Sequence, residues 1–167
     1  MSDIFNVILK RRSIRKFTKK IPSDALIKKI LEAGRWAPSG LNNQPWRFMV
    51  IKKDNVLKTL SSFTRYGYII KNAPVAIAVC MDLADSYNRE KDLMSIGACI
   101  ENMLLEAASI KLGTCWLGEI LNRKEEVCSF LSLPEDYELM AVIALGYPSK
   151  KRHRGERKSL SALMKGR

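Results

Sequence analysis

Apolar runs of helical or strand length alternate with clusters of turn formers along the whole chain. Asp3 is placed to cap a first helix whose apolar residues, Ile4, Phe5, Val7, Ile8 and Leu9, run into a basic stretch. Pro22-Ser23-Asp24 opens a second helix, with Leu26, Ile30, Ala33 and Ala37 along one face, Ile27, Leu31 and Gly34 beside it, and Pro38 as its stop. Residues 39–45, SGLNNQP, read as a loop, and Trp46 to Ile51 as a strand. Asp54 is placed to cap a short helix through Phe63, and residues 64–73 read as a connector with two tyrosines.

Pro74 to Met81 is a continuous apolar run of strand length, the pattern of a central strand covered on both faces. From Asp92 a helical pattern continues to Lys111, with Gly113 at a C-cap position. Leu93, Met94, Ile96, Gly97, Ala98, Cys99, Ile100, Met103, Leu104, Ala107 and Ala108 leave nearly every side of it apolar or small. Such a helix needs partners all round, and in a chain this small a second subunit is the expected one. Thr114 to Leu117 reads as a short strand, Asn122 to Glu125 as a capping box for a helix to Leu131, and Leu139 to Leu145 as a second buried strand. Leu160, Leu163 and Met164 are the apolar residues of an otherwise basic tail, suited to docking on a neighbour. The pattern predicts a mixed α and β chain, one domain over residues 1–167, with helices flanking a small sheet.

Charge then singles out two places. The net charge is +12, and it resides in residues 9–20, with seven Lys or Arg and no acid, and residues 147–158, with six and one acid. Two compact clusters far apart in sequence predict convergence on one anion better than they predict a polyanion-binding face. A nucleic-acid-binding module is the rival that this charge suggests, but there is no groove-reading helix and no basic sheet with interleaved aromatics. No apolar run crosses a bilayer and no signal peptide stands at the N-terminus, so the expected compartment is the cytoplasm, with no membrane partner. Cys80, Cys99, Cys115 and Cys128 lie singly in apolar segments, as packing thiols do, and no metal site is expected. His153 is the only histidine and sits in a basic run, so side-chain acid–base or nucleophilic catalysis has little to work with. Any chemistry is expected to come from a bound cofactor.

Two segments carry candidate binding chemistry. Arg11-Arg12-Ser13-Ile14-Arg15 offers guanidinium forks and a hydroxyl suited to phosphate, although a solvated helix end explains it equally well. Residues 37–46, APSGLNNQPW, combine a proline-fixed path with Ser39, Asn42 and Gln44, donors and acceptors suited to the edge of a planar heterocycle; an ordinary helix-to-strand loop has the same composition.

The order RRSIRKF, APSGLNNQPWRF, DLMSIGACIENMLLEAASIKLGTCWLG and LGYP with a later Arg-Lys resembles the FMN-dependent nitroreductase family from end to end. The resemblance implies an α+β nitroreductase-like fold: a small, mostly antiparallel sheet flanked by helices, with the long central helix at a dimer interface. It implies an NAD(P)H-dependent FMN oxidoreductase that passes hydride from NADH or NADPH through flavin N5 to a nitroaromatic, quinone or similar small acceptor, by a ping-pong mechanism. Specialised flavin chemistry on the same fold, dehalogenation or heterocycle oxidation, is the alternative within it. By the same resemblance Arg11 grips the FMN phosphate, Arg12 and Ser13 add contacts, and Arg15 approaches the pyrimidine side of the ring, where its charge tunes the flavin. Pro38, Ser39 and Asn42 match a segment reaching the flavin of the other subunit, so that the sites lie at a homodimer interface. Trp116, Leu117 and Gly118 match the stretch whose backbone lies against the ring, and Arg157 and Lys158 the pair that completes the phosphate clamp. No catalytic side chain is implied beyond Arg15. The chain departs from the pattern in being short between its first strand and the long helix, and in having Glu119 after Gly118 where some members have Glu before the glycine. Tyr66, Tyr68 and Tyr87 are pocket candidates by location alone.

Overall fold

In the computed structural model, which describes residues 3–149 and 155–166, four strands form one sheet in the order β1-β2-β4-β3. They are β1 (Trp46–Ile51), β2 (Val75–Asp82), β3 (Gly113–Leu117) and β4 (Tyr137–Gly146), and every pairing is antiparallel. Strand β2 is buried at all positions because both of its faces are covered. Val75, Ile77, Val79 and Met81 pack with helices α2 (Asp24–Arg35) and α5 (Arg89–Ser109). Ala76, Ala78 and Cys80 face the opposite layer, where α3 (Asp54–Ser61), α4 (Gly67–Asn72) and α6 (Lys124–Phe130) contribute Leu57, Leu60, Ile69, Ile70 and Val127. The register shifts between Val79 and Cys80, whose partners on β4 are Ala141 and Leu139. The extra residue, Met140, lets Leu139 and Val142 enter the same layer although they are an odd number of positions apart.

Several local expectations are corrected. Helix α5 begins at Arg89, not Asp92: Asn88 caps it by accepting from the Lys91 amide at 3.1 Å, and Asp92 is buried inside the first turns. It ends at Ser109, and the left-handed residue after it is Lys111, with φ of 64°, while Gly113 starts β3 without a positive φ. That glycine answers to packing instead, since a Cβ there would lie within 2.9 Å of three Ile14 side-chain atoms. The 64–73 connector contains α4. Asn122 donates to Glu119 rather than capping α6, and residues 119–123 form a 3-10 turn. Asp54 stands inside the first turn of α3 after Lys53, where its charge favours the helix dipole. Helix α2 stops at Arg35, ahead of Pro38.

Helix α1 (Asp3–Lys10) has no buried residue, although its residues are predominantly apolar. Ile4, Ile8 and Leu9 are exposed there, as are Leu93 and Met94 on α5 and Leu160, Leu163 and Met164 in and after the short α7 (Leu160–Leu163). Among the described residues no helix is long and apolar enough to cross a membrane.

The start of α5 is tied to the sheet by Glu138, which accepts from Arg89 at 2.5 and 2.9 Å and from Lys124 Nζ at 2.5 Å. The Arg89 bonds chiefly, and then Lys124, hold its carboxyl at about 2, against an ordinary 4.5. With the folded value below the unfolded one, this contribution is complete above about pH 4.5 and is lost as pH falls towards 2. Arg89 is more than half exposed, so screening leaves about 1 kcal/mol. Glu138→Gln is expected to lower the urea midpoint at pH 7 and to flatten its fall between pH 4.5 and 2, the window set by that shift; an unchanged acid profile would remove Glu138 as its source.

Candidate functional site

After α1 the chain runs extended along the β3–β4 end of the sheet. Ile14 N donates to Thr114 O at 2.7 Å, Thr18 N to Tyr147 O at 2.8 Å, and Ser149 N to Lys16 O at 3.1 Å. Ile14 and Phe17 turn into the core and leave Ser13, Arg15 and Lys16 facing out. The described parts of the two basic clusters therefore meet. Lys20 Nζ also lies 4.9 Å from the Tyr147 ring centroid, and Gly155 lies against the Arg12 guanidinium, 2.5 Å from its Cζ to where a Cβ would stand. Lys150, Lys151, Arg152, His153 and Arg154 fall outside the described residues.

Arg11 is mostly buried and its Nε lies 3.3 Å from Glu101 of α5. Arg12 donates from Nη1 to its neighbour's carbonyl at 2.6 Å, while its buried Nε has no partner among the described residues. A buried guanidinium N–H without an acceptor costs about 1–3 kcal/mol, so the position is suited to receiving an anion. Arg15 is exposed and close enough to Cys115 to favour its thiolate, but burial dominates and pushes that thiol up. Burial likewise raises Cys80 and Cys99 to about 12, the behaviour of inert packing thiols. Arg157 and Lys158 are exposed, and Arg157 donates to the Glu156 carbonyl at 2.6 Å.

At the end of β3, Trp116 is exposed, Leu117 is buried and Gly118 is exposed. Gly118 has φ of −87° and ψ of −21°, open to any residue, and a Cβ on it would meet nothing within 4 Å among the described residues. The space beside its Cα is thus open. The next residue, Glu119, accepts from the Thr64 hydroxyl, from Arg65 N at 3.1 Å and from Arg65 Nε at 2.9 Å. These donors, Thr64 first, hold its carboxyl at about 2. In sequence Glu119 is only a departure from a motif; in the fold it hangs the 64–66 turn, with half-exposed Tyr66, beside Gly118.

The third group is the 38–45 loop, with Pro38, Leu41 and Asn42 exposed and Ser39 partly so. Ser39 Oγ accepts from Gln44 N at 3.0 Å, and Ser39 O from Asn42 N at 3.1 Å. Asn43, which the sequence reading passed over, joins the loop to Asp92 of α5 at 2.8 Å. The tyrosine candidates divide: a Cβ on Gly40 would collide with the Tyr87 hydroxyl, which packs under this loop, whereas Tyr68 is half exposed on α4. The loop fastens to α5 at Asp92 and Arg11 at Glu101, nine residues further on, or roughly 14 Å at 1.5 Å per residue. Clefts of about 420 Å³ beside Asn43 and Arg47 and of about 540 Å³ beside Trp36 include neither Arg12 nor Trp116 among their lining residues.

The model of the nitroreductase family matches residues 8–65 and 56–147. An Archaeoglobus fulgidus protein assigned as an NADH dehydrogenase/NAD(P)H nitroreductase is 36% identical over 152 residues, covering 89% of this chain and 87% of its own. A Desulfovibrio desulfuricans protein assigned as a nitroreductase, solved in complex with FMN, is 41% identical, with a TM-score of 0.95 over 100% of this chain and 98% of that one. The NADPH:FMN oxidoreductase of Vibrio harveyi, at 23% identity, shares the fold with a TM-score of 0.91 over 99% of this chain and 77% of its own. With its antiparallel sheet, its long helix and matches of this extent, the chain belongs to the nitroreductase family.

Proposed function

We propose that the protein is an FMN-dependent oxidoreductase that takes electrons from NADH or NADPH and passes them to a nitroaromatic, quinone or similar small acceptor by a ping-pong mechanism. The observation that carries this is the buried Arg12 Nε, without an acceptor among the described residues, at the place where the described parts of the two basic segments meet. When bound, FMN supplies hydride uptake from the nicotinamide and hydride release to the acceptor at N5. The chain's own residues bind and orient. Arg11, Arg12 and Ser13, with Arg157 and Lys158 from the tail, hold the phosphate by charge-assisted bonds. Trp116, Leu117 and Gly118 give the ring a backbone surface clear of side-chain bulk on Gly118. Arg15 places positive charge near the ring and favours its reduced form.

The working unit in this reading is a homodimer. Exposed apolar residues on α1 and α5 supply the contact, and Pro38, Ser39 and Asn42 complete the site of the other subunit, which accounts for the separation of the two groups along α5. Mixing the protein with FMN, removing free flavin and following NADH or NADPH loss by near-ultraviolet absorbance tests the activity. Retained flavin and donor oxidation that needs an added acceptor are expected. A protein that emerges colourless from reconstitution sinks the reading.

A further inference from the structure

The loop carrying Ser39 and Asn42 adopts a backbone that its own residues do not favour. Leu41, Asn42 and Gln44 have φ of 53°, 57° and 48°, in the left-handed region that costs a non-glycine residue roughly 1 kcal/mol or more. Asparagine tolerates it, leucine and glutamine less so. Bonds within the loop, among them Gln44 N to Ser39 Oγ, hold part of it, and Asn43 is where it is fastened to the helical layer. The Asn43 amide nitrogen donates to Asp85 O at 2.9 Å and to Asp92 Oδ1 at 2.8 Å. Two acceptors determine which way this amide points, because the flipped amide would set oxygen against both.

Asp92 is fully buried. Its second oxygen accepts from Ser86 Oγ at 2.7 Å, Tyr87 N at 3.1 Å and Asn88 N at 3.2 Å. Burial opposes the charge, but these donors and Asn43 outweigh it and keep the carboxyl below its usual range. Capping α5 does not require it, since Asn88 already accepts from Lys91 N. One carboxylate thus joins the turn before α5 to a loop 49 residues away in sequence.

We infer that Asp92 is a positioning residue: acting through Asn43, it holds the 39–44 loop in its left-handed conformation and so presents Ser39 and Asn42 to the FMN of the other subunit. The inference rests on the FMN-dimer reading above. Asp92 itself touches neither cofactor nor substrate in this account.

The test is FMN affinity of the whole protein, read by quenching of flavin fluorescence on binding. Asp92→Asn turns an acceptor facing the Asn43 donor into an amide, and Asn43→Ala removes the same link from the other side. Each is expected to raise the FMN Kd about tenfold, and the double variant to be no worse than either alone, because one link is being broken twice. Ile143→Val, which trims the core beneath the sheet, is expected to lower Tm while leaving Kd within twofold. A Kd within twofold of the unaltered protein in either single variant, or a double variant that multiplies the two losses, overturns the inference. Should Asp92→Asn not fold, Asn43→Ala decides alone, since it leaves Asp92 three donors and α5 its cap. Failure of the unaltered chain to bind FMN defeats the parent reading and this inference with it; normal binding in the unaltered chain and the variants defeats this inference alone.

Discussion

Arg12→Ala protein is expected to bind FMN at least about a hundredfold more weakly than the unaltered chain. A hydrogen bond to a charged group contributes about 1.5–3 kcal/mol, and a guanidinium makes two with one phosphate when its fork is aligned. Losing about 3–4 kcal/mol corresponds to a factor of several hundred in Kd. The fold itself should notice less. Arg12 donates one bond to a backbone carbonyl and finds no acceptor for Nε among the described residues, so truncation also removes a buried donor that they leave unsatisfied. Affinity loss with a nearly unchanged apo-protein Tm therefore separates binding from folding. Arg12→Lys restores the charge but not the planar fork, and is expected to recover only a small part of the affinity. Equilibrium dialysis at two salt concentrations reads all three proteins. Retention of FMN within threefold by Arg12→Ala would move the phosphate away from this guanidinium.

What the chain revealed beforehand follows from the range over which each signal acts. Strand β2 was legible because both of its faces are covered, which forces an unbroken apolar run that no loop tolerates. The unburied face of α5 was legible for the converse reason: apolar residues all round a helix exceed what one small chain can cover. Helix α4 was hidden because Gly67 and Asn72 bound a six-residue turn whose two buried isoleucines are too few to show a period. Asp92 marked the start of the helical pattern because an acid early in such a pattern has that local meaning, whereas α5 begins at Arg89. The actual partner of Asp92, Asn43, lies on another segment, and nothing in local spacing couples the two. Glu119 is the same case: its donors Thr64 and Arg65 come from a connector whose path only the packed fold determines. Contacts of long sequence separation position the candidate site, so its components were readable while its fastenings were not.

Gly97→Leu is expected to convert the proposed dimer to monomer at micromolar concentration and to release the proposed FMN with it. Inside one protomer this glycine has no evident purpose. It sits in the interior of α5, where glycine costs up to about 1 kcal/mol relative to alanine, and a Cβ built on it meets nothing within 4 Å. Met94, Gly97, Glu101 and Leu105 follow one another at three- and four-residue steps, a stripe of mixed size on the side of α5 that the sheet does not cover. A leucine there raises helix propensity, and its Cβ meets nothing within 4 Å among the described residues, so the isolated chain should become no less stable. A partner helix seated over Gly97 reverses that expectation. Overpacking a close contact costs about 1–3 kcal/mol, and a two-fold interface repeats each substitution, so roughly 2–6 kcal/mol weakens dimerisation by a factor of about thirty to about twenty thousand. Sedimentation or light scattering with protein concentration varied reads the association, and flavin absorbance in the monomer fraction reads the site. Because Ser39 and Asn42 are proposed to act across the interface, the monomer should bind FMN weakly even with Arg11, Arg12 and Gly118 intact. A Gly97→Leu protein that stays dimeric and yellow would place the interface elsewhere on the surface, and a monomer that keeps its flavin would place the whole site within one subunit.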